Sequence, residues 1–454
     1  MQTGFRPIGR FPIFRKELPT ETLFYAPGYI AVVDAGQADR FEEELCGVGP
    51  STWEAVDGLR QRAVAALQAW PALCSRPFSP VCLTLYLNEQ CNLNCVYCFA
   101  SPGKRTNPNA FLSLNAVRSA ARLVAENCQR AGCSFTVAFH GGGEPALELA
   151  DMERLLTAVE EIAREYQLPI FRYIATGGAI PPENVHWMAK HFDLIGLSCD
   201  GPSEIQDRQR PLRNGKGSTD FVERAAEIIH AENKPLHIRA TITSRSIFHQ
   251  SEIADYICRR LRPQEIHVEP VYLGGRADEK LHLDLEQAEE FVDHFFNAKA
   301  VARTYGIPWL SSGSRPGEIH GPYCNVFRNV LHLLPGDGAT ACFKMTNTDS
   351  ARAANVLIGE YDQAVDEYHL DVPLIQQTQA TMSRSMADCA TCFNQFHCSR
   401  LCPDYCMVEE KAPLAQTRCR VQALLVERML EETVQSWRRT RSRSNGVLSG
   451  KLAS

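Results

Sequence analysis

Between residues 82 and 303 six short apolar runs of strand length alternate with amphipathic stretches of helix length. The alternation stops near residue 310, and eight of the eighteen cysteines fall into two short clusters, at 91–98 and 389–406. These observations predict an α/β chain: a partial (β/α)6 TIM-like barrel with a small N-terminal α+β segment before it and a Cys-rich C-terminal domain after it. The expected boundaries are residues 1–80 for the N-terminal segment and 81–310 for the barrel. The Cys-rich domain is expected at 311–437, and residues 438–454 as a disordered basic tail.

The N-terminal segment alternates short extended pieces, such as LFYAPGYIAVVD, with one helix near Trp53–Trp70, where Val56, Leu59, Ala63 and Leu67 share a face. The barrel begins with the strand 82–88 and the helix Leu114–Ala131. There follow strand 135–140, helix Leu149–Tyr166, strand 171–176, helix Glu183–His191 and strand 194–199. Helix Thr219–Glu232, strand 236–243, helix Glu252–Leu261, strand 266–273 and helix Leu285–Arg303 complete six units. Beyond residue 310 the segments are short and turn-rich, a composition that relies on metal for its fold. Residues 417–437 read as a closing helix, and RRTRSRSNGVLSGKLAS reads as a polar, basic end.

Composition limits the function. Apolar residues at 44% and charged residues at 22% suit a globular core, and the net charge of −6 (47 Lys and Arg against 53 Asp and Glu) gives no basic footprint for nucleic acid or anionic lipid. No apolar run approaches the roughly 18 residues of a membrane span. The first residues, MQTGFRPIGRFPIFRKELP, lack a signal-peptide core. The cytoplasm is the expected compartment, with neither nucleic acid nor membrane as partner. In that reducing setting the cysteines read as metal ligands rather than disulfides.

Cys91-Asn-Leu-Asn-Cys95-Val-Tyr97-Cys98 places three thiols in eight residues directly after the first barrel strand. Three such thiolates can hold three irons of a [4Fe–4S] cube and leave the fourth open. A structural zinc site would want four ligands, commonly in C-x2-C pairs. The C-x3-C-x2-C spacing, with an aromatic before the last Cys, resembles the radical SAM superfamily. Further motifs match in order. His140-Gly141-Gly142-Gly143-Glu144-Pro145 is similar to the family's GGE motif, and Ser198-Cys199-Asp200-Gly201-Pro202 with Gln206 to Arg210 is similar to a run of the peptide-modifying branch. There Gln206 stands where relatives have His. Gly215-Lys216-Gly217-Ser218 fits the loop that follows. The resemblance implies that Tyr97, Gly142, Gly143 and Glu144 bind S-adenosylmethionine (SAM), Glu144 at the methionyl amine. It implies further contacts from Thr176 and Asp200, with Ser198 and Arg210 at the carboxylate. Thr176-Gly177-Gly178 lacks the Asn of relatives at the middle position, and Glu269-Pro270 matches a family position near the adenosyl group.

Cys389-x2-Cys392-x5-Cys398-x3-Cys402, then sixteen residues and Cys419, resembles the SPASM extension together with upstream Cys324 and Cys342. Read alone, the stretch is also compatible with a zinc ribbon. The resemblance implies two auxiliary [4Fe–4S] clusters, one on Cys389, Cys392, Cys398 and Cys419, the other on Cys324, Cys342 and Cys402. Cys406 supplies the fourth ligand of the latter or is a free thiol, with that iron then open. The glycine expected in a G-x4-C spacing before Cys342 is displaced by one, in Pro335-Gly336-Asp337-Gly338, which gives x5 or x3. Cys46, Cys74, Cys82, Cys128, Cys133, Cys199 and Cys258 read as packing residues, and His140 as a supporting donor or a structural histidine.

The implied activity is reductive cleavage of SAM to a 5′-deoxyadenosyl radical, with an electron from a flavodoxin or ferredoxin. The consequence is oxidative modification of a peptide or protein side chain, by a thioether or carbon–carbon cross-link or a related change. The alternatives are formylglycine formation of the anaerobic sulfatase-maturase type, oxidation of a small cofactor precursor, and a non-catalytic iron–sulfur electron carrier. Phe343 after Cys342, where sulfatase-maturating relatives have Asp, counts against the first.

Overall fold

The computed structural model describes residues 4–47, 49–100, 111–271, 275–277, 280–313, 315–319, 326–340, 342–346, 356–383, 389, 391–398, 412–440 and 446–452. The chain divides into two units, one of residues 1–76, 312–324 and 379–454, the other of residues 77–311 and 325–378. No described helix is long and apolar enough to cross a membrane.

The first unit is built on an antiparallel sheet. Strands β1 (Phe5–Pro7), β2 (Phe14–Glu17), β3 (Glu21–Ala26) and β4 (Tyr29–Asp34) follow in order. Helices α1 (Ala38–Cys46) and α2 (Glu54–Cys74) come next in the chain. Successive strand residues point to opposite faces, and here both faces are covered. Phe24, Ala26, Ala31 and Val33 pack with Phe41 and Leu45 of α1 and with Val56, Leu59 and Ala63 of α2. Leu23, Tyr25, Ile30 and Val32 pack with Val426, Leu430 and Val434 of the long helix Ala412–Thr440. Double burial explains why LFYAPGYIAVVD is apolar throughout instead of alternating.

The second unit holds the barrel strands. They are β5 (Cys82–Leu85), β6 (Phe135–Phe139), β7 (Ile170–Thr176), β8 (Leu194–Ser198), β9 (Leu236–Ile242) and β10 (Glu265–Pro270), all parallel to their neighbours. The connecting helices are α3 (Leu114–Ala131), α4 (Leu149–Glu165), α5 (Pro182–His191), α6 (Ser203–Gln209), α7 (Thr219–Ala231), α8 (Gln250–Tyr256) and α9 (Gln287–Thr304). Helix α3 shows why such segments start and stop: the Ser113 side chain accepts from the Ala116 N–H, and Gly132 ends the helix at φ 62°. Leu83, Leu85, Val137, Phe139, Ile195, Leu197, Ile238 and Ile266 are fully buried. The alternate residues, among them Tyr173, Ser198, His237 and Arg239, form the other face of the strands.

Two expectations are corrected. The sheet does not end at residue 310. β11 (Trp309–Leu310) pairs with β10, and β12 (Val330–Leu333) adds to β5 in parallel. The hairpin strands β13 (Gly338–Thr340), β14 (Leu357–Asp362) and β15 (Glu367–Leu370) extend it further. Residues 325–378, expected in the Cys-rich domain, thus belong to the barrel unit. No helix-length stretch introduces β12, so the alternation signal stopped while the sheet continued. The displaced glycine marks the β12–β13 turn, where Gly336 and Asp337 both have positive φ. The expected disordered tail, in turn, contains β16 (Leu448–Lys451), antiparallel to β4. Val447 is buried with the α1/α2 side of the sheet and Leu448 with the long-helix side, on which Leu452 also packs, so a few apolar residues in a polar stretch pin it.

Candidate functional site

In a parallel sheet the loops after the strands gather at one edge. The loop after β5 carries Cys91, Cys95 and Cys98, and the segment 209–213 holds it. Val96 N–H donates to Gln209 C=O (3.0 Å), Asn94 N–H to Pro211 C=O (2.7 Å) and Arg213 N–H to Asn92 C=O (2.9 Å), while the Arg213 guanidinium donates to Cys91 C=O (2.5 Å). Asn92 Nδ2 donates to Ala179 C=O. Beyond β10, Arg276 N–H donates to Cys98 C=O (3.0 Å) and its guanidinium to Asn94 Oδ1 (2.5 Å). Desolvation pushes the Cys91 thiol up to about 12, with the charges of Glu144, Cys95 and Cys98 adding to it. Cys95 is pushed up to about 11, again mainly by desolvation, with Arg210 opposing and Cys98 adding. The three thiols therefore share one electrostatic neighbourhood, a donor set that suits an iron–sulfur cube with one open iron.

The glycine run after β6 passes directly against this loop. A Cβ on Gly142 would lie 2.7 Å from Asn88 O and one on Gly143 only 1.9 Å from Gln90 O, while Glu144 N–H donates to that same Gln90 oxygen (2.6 Å). Gly141 and Gly142 also have φ of 78° and 70°. Backbone approaches backbone here, which only glycine permits. Glu144 is buried and accepts from Thr176 Oγ1 (2.8 Å), Gly177 N–H (2.7 Å) and Ala146 N–H (3.2 Å). Burial pushes its carboxyl up against those three donors. At the position of the missing Asn, a Cβ on Gly177 would lie 2.4 Å from Leu93 Cδ1 of the cysteine loop, so a side chain there would have to move Leu93.

Asp200, after β8, is the centre of the polar network. It is fully buried and accepts from Tyr97 Oη, from Gln209 Nε2 (2.7 Å) and from Thr241 N–H (2.9 Å). It also pairs with Arg210, whose Nε lies 3.1 Å from Oδ1 and whose guanidinium sits 5.3 Å from the Tyr97 ring centre. Gln206 accepts from Asp200 N–H (2.8 Å) and donates to Ser218 Oγ (3.0 Å), which ties the expected 215–218 loop to the same centre. Ser198 is half-buried at the end of β8. His140 lies beside Phe343, which also packs edge-on against Phe99. Desolvation, with Arg239 adding, pushes the His140 imidazole down to about 4.

In the first unit Cys389, Cys392, Cys398 and Cys419 converge. Enclosure pushes the Cys398 thiol well up, and the charges of Cys419, Cys392 and Cys389 add to it. Cys342 follows β13, its N–H donating to Thr340 Oγ1 (3.0 Å). Cys324, Cys402 and Cys406 lie outside the described residues. Among the residues read as packing, Cys128, Cys199 and Cys258 are buried and Cys46 is exposed.

Sequence reasoning missed Arg213, Gln209, Thr241 and Arg276. Only Arg276 had a signal: it follows a Gly-Gly pair after a strand, and a Cβ on Gly275 would lie 2.3 Å from Cys98 O.

Comparison with known proteins bears on this arrangement. The cysteine-type anaerobic sulfatase-maturating enzyme of Clostridium perfringens is 31% identical over 174 residues, 37% of this chain and 45% of that enzyme. The match thus spans about half of the curated relative's length. The structure of anSMEcpe with bound AdoMet and Cp18Cys peptide covers 80% of this chain and 99% of its own, with TM-score 0.60 and 18% identity. Streptococcus suis SuiB bound to precursor peptide SuiA covers 85% and 94%, with TM-score 0.52 and 14% identity. These two show the fold. Residues 85–245, the stretch that folds the cysteine loop, the glycine run and the Asp200 centre, match the Radical SAM superfamily. The chain therefore carries a radical SAM domain over residues 85–245.

Proposed function

We propose that the chain oxidatively modifies a side chain of a peptide or protein, making a thioether or carbon–carbon cross-link or a related change. The observation that carries this reading is the pairing of two thiol groups within one chain: Cys91, Cys95 and Cys98 after β5, and Cys389, Cys392, Cys398 and Cys419 in the first unit. The likeness to peptide-bound anSMEcpe and SuiB supports a peptide substrate.

The radical SAM domain implies a [4Fe–4S] cluster and SAM, and in this reading Cys91, Cys95 and Cys98 would hold the cluster. Bound together, cluster and SAM supply a carbon-centred radical able to take hydrogen from an unactivated carbon. The protein binds, orients and excludes water. Glu144 uses three of the roughly four acceptor positions of a carboxylate on the protein, leaving one for the methionyl ammonium. Arg210, paired with Asp200 and set over the Tyr97 ring, would hold the SAM carboxylate together with Ser198. The glycine run packs its backbone on the loop whose cysteines would carry the cluster. Cys389, Cys392, Cys398 and Cys419 hold an auxiliary cluster, with Cys342, Cys324 and Cys402 as ligands of another. Such a cluster would take up the electron released when the substrate is oxidised, while the separate electron that cleaves SAM would come from a flavodoxin or ferredoxin.

Formylglycine formation is the second reading, favoured by the likeness to a sulfatase-maturating enzyme. Phe343, packed on Phe99, stands where that chemistry would lead one to expect Asp.

The test is mass spectrometry of a short peptide encoded beside the enzyme after anaerobic co-expression, with Cys95→Ala as control. Loss of two hydrogens only with the intact enzyme is expected. An unchanged mass, including after repetition in D2O to detect epimerisation, overturns the peptide assignment.

A further inference from the structure

His237 is the second residue of β9, while Glu265 and His267 are the first and third of β10. Residues two apart on a strand share a face, and the parallel register sets Glu265 opposite His237. The three side chains meet on the sheet face that also carries Arg239, Thr241 and Ser198. One oxygen of Glu265 lies 2.9 Å from His237 Nδ1 and 2.7 Å from His267 Nε2. All three ligand-capable atoms lie within 4.8 Å of one another.

We propose that His237, Glu265 and His267 bind one divalent cation of the Zn2+ class. Two imidazoles and one carboxylate form a borderline nitrogen/oxygen donor set of net charge −1, which suits zinc better than magnesium or calcium. The side chains keep 20–28% exposure, so a metal can reach them. Rigid neighbouring strands hold the donors without a loop having to order. Three protein ligands leave a fourth tetrahedral position for water or a substrate donor. Arg239, two residues along the same face, opposes a cation, but it is exposed to solvent and screened. The site is distinct from the cysteine loop. Thr241, whose N–H meets Asp200, lies four residues beyond His237, about 13 Å along the strand. The inference does not depend on which side chain the enzyme modifies. Without a metal, the same geometry is a carboxylate bridging two imidazoles by hydrogen bonds, and the experiment must separate the two.

The full chain, with its iron–sulfur clusters reconstituted, is equilibrated with Zn2+, freed of excess and examined by elemental analysis and zinc-edge X-ray absorption. One zinc per chain with only nitrogen and oxygen neighbours at about 2.0–2.1 Å is expected. It should be absent from the His237→Ala/His267→Ala double variant and bound at least tenfold more weakly by Glu265→Gln, with iron content unchanged in both. Failure to retain zinc overturns the proposal, as does zinc with sulfur neighbours at about 2.3 Å, the mark of occupied thiol sites. Zinc retained equally by Glu265→Gln also overturns it; that variant preserves size and decides the matter if the double variant does not fold.

Discussion

Gly143→Ala tests whether the cysteine loop is held by backbone-on-backbone packing. A methyl at this position meets the Gln90 carbonyl oxygen at 1.9 Å, against the 3.0 Å that real contacts respect, so loop or glycine run must retreat by about 1.1 Å. That movement stretches the 2.6 Å hydrogen bond from Glu144 N–H to the same oxygen. Overpacking of this kind costs about 1–3 kcal/mol, and a lost hydrogen bond adds about 1 kcal/mol. The displaced residue adjoins Cys91, and a misplacement of about 1 Å at a reacting centre costs on the order of 100-fold in rate. The assays are urea unfolding of the chain, iron content after reconstitution, and the SAM-dependent change in the cluster's electron paramagnetic resonance spectrum. Gly132→Ala serves as control. It forces a residue into φ 62°, but nothing lies within 4 Å of its Cβ and it caps a helix. It should lower stability by about 1 kcal/mol with an unchanged SAM response. Wild-type stability and wild-type SAM response in Gly143→Ala would refute the reasoning.

Asp200→Asn leaves the buried Arg210 charge without its partner, a loss of about 3–5 kcal/mol in unfolding experiments; a loss below about 1 kcal/mol would mean that Tyr97 and Thr241 hold Arg210 unaided. His332 on β12 is buried, and desolvation, with His140 adding, pushes its imidazole down to about 3 from an ordinary 6.5. The unfolded chain takes up that proton first as pH falls, so stability is complete above pH 6.5 and declines from there towards pH 3. At pH 5 the loss is about 2 kcal/mol. His332→Phe should shrink the difference in stability between pH 7.5 and pH 5 by that amount, and an equal pH dependence in both proteins would contradict the assignment. Leu448→Ala should cost about 2–4 kcal/mol in thermal melts, because the side chain sits in the long-helix core. A truly disordered tail would give less than about 0.5 kcal/mol.

The sequence revealed the site better than it revealed the fold around it. Cys91, Glu144 and Asp200 lie in the loops after strands and Arg210 caps α6, positions where residue type is dictated by chemistry and the spacing survives as a motif. Their supports are less legible. Thr241 contributes a backbone N–H, which no side chain advertises, and Gln209 lies in a helix of ordinary polarity. The six parallel strands were readable because each alternates with a helix of the right length. β12 was not, because its partner β5 lies more than two hundred residues earlier in the chain. β16 was hidden for another reason: a strand at the edge of a sheet needs few apolar residues, and Val447 and Leu448 are outnumbered by arginines and serines nearby.

The pairing of β16 with β4 has a bearing on the order of synthesis. The barrel unit occupies the middle of the chain, whereas the N-terminal sheet waits for residues 412–452 to cover one face and finish one edge. During translation, Leu23, Tyr25, Ile30 and Val32 are made first and shielded last, so this sheet spends the longest time as a half-built, aggregation-prone surface. The four thiols of the same unit are likewise assembled only at the end. Slow release or an early stop before residue 448 would therefore harm the unit containing Cys389 to Cys419 while sparing the barrel that contains Cys91.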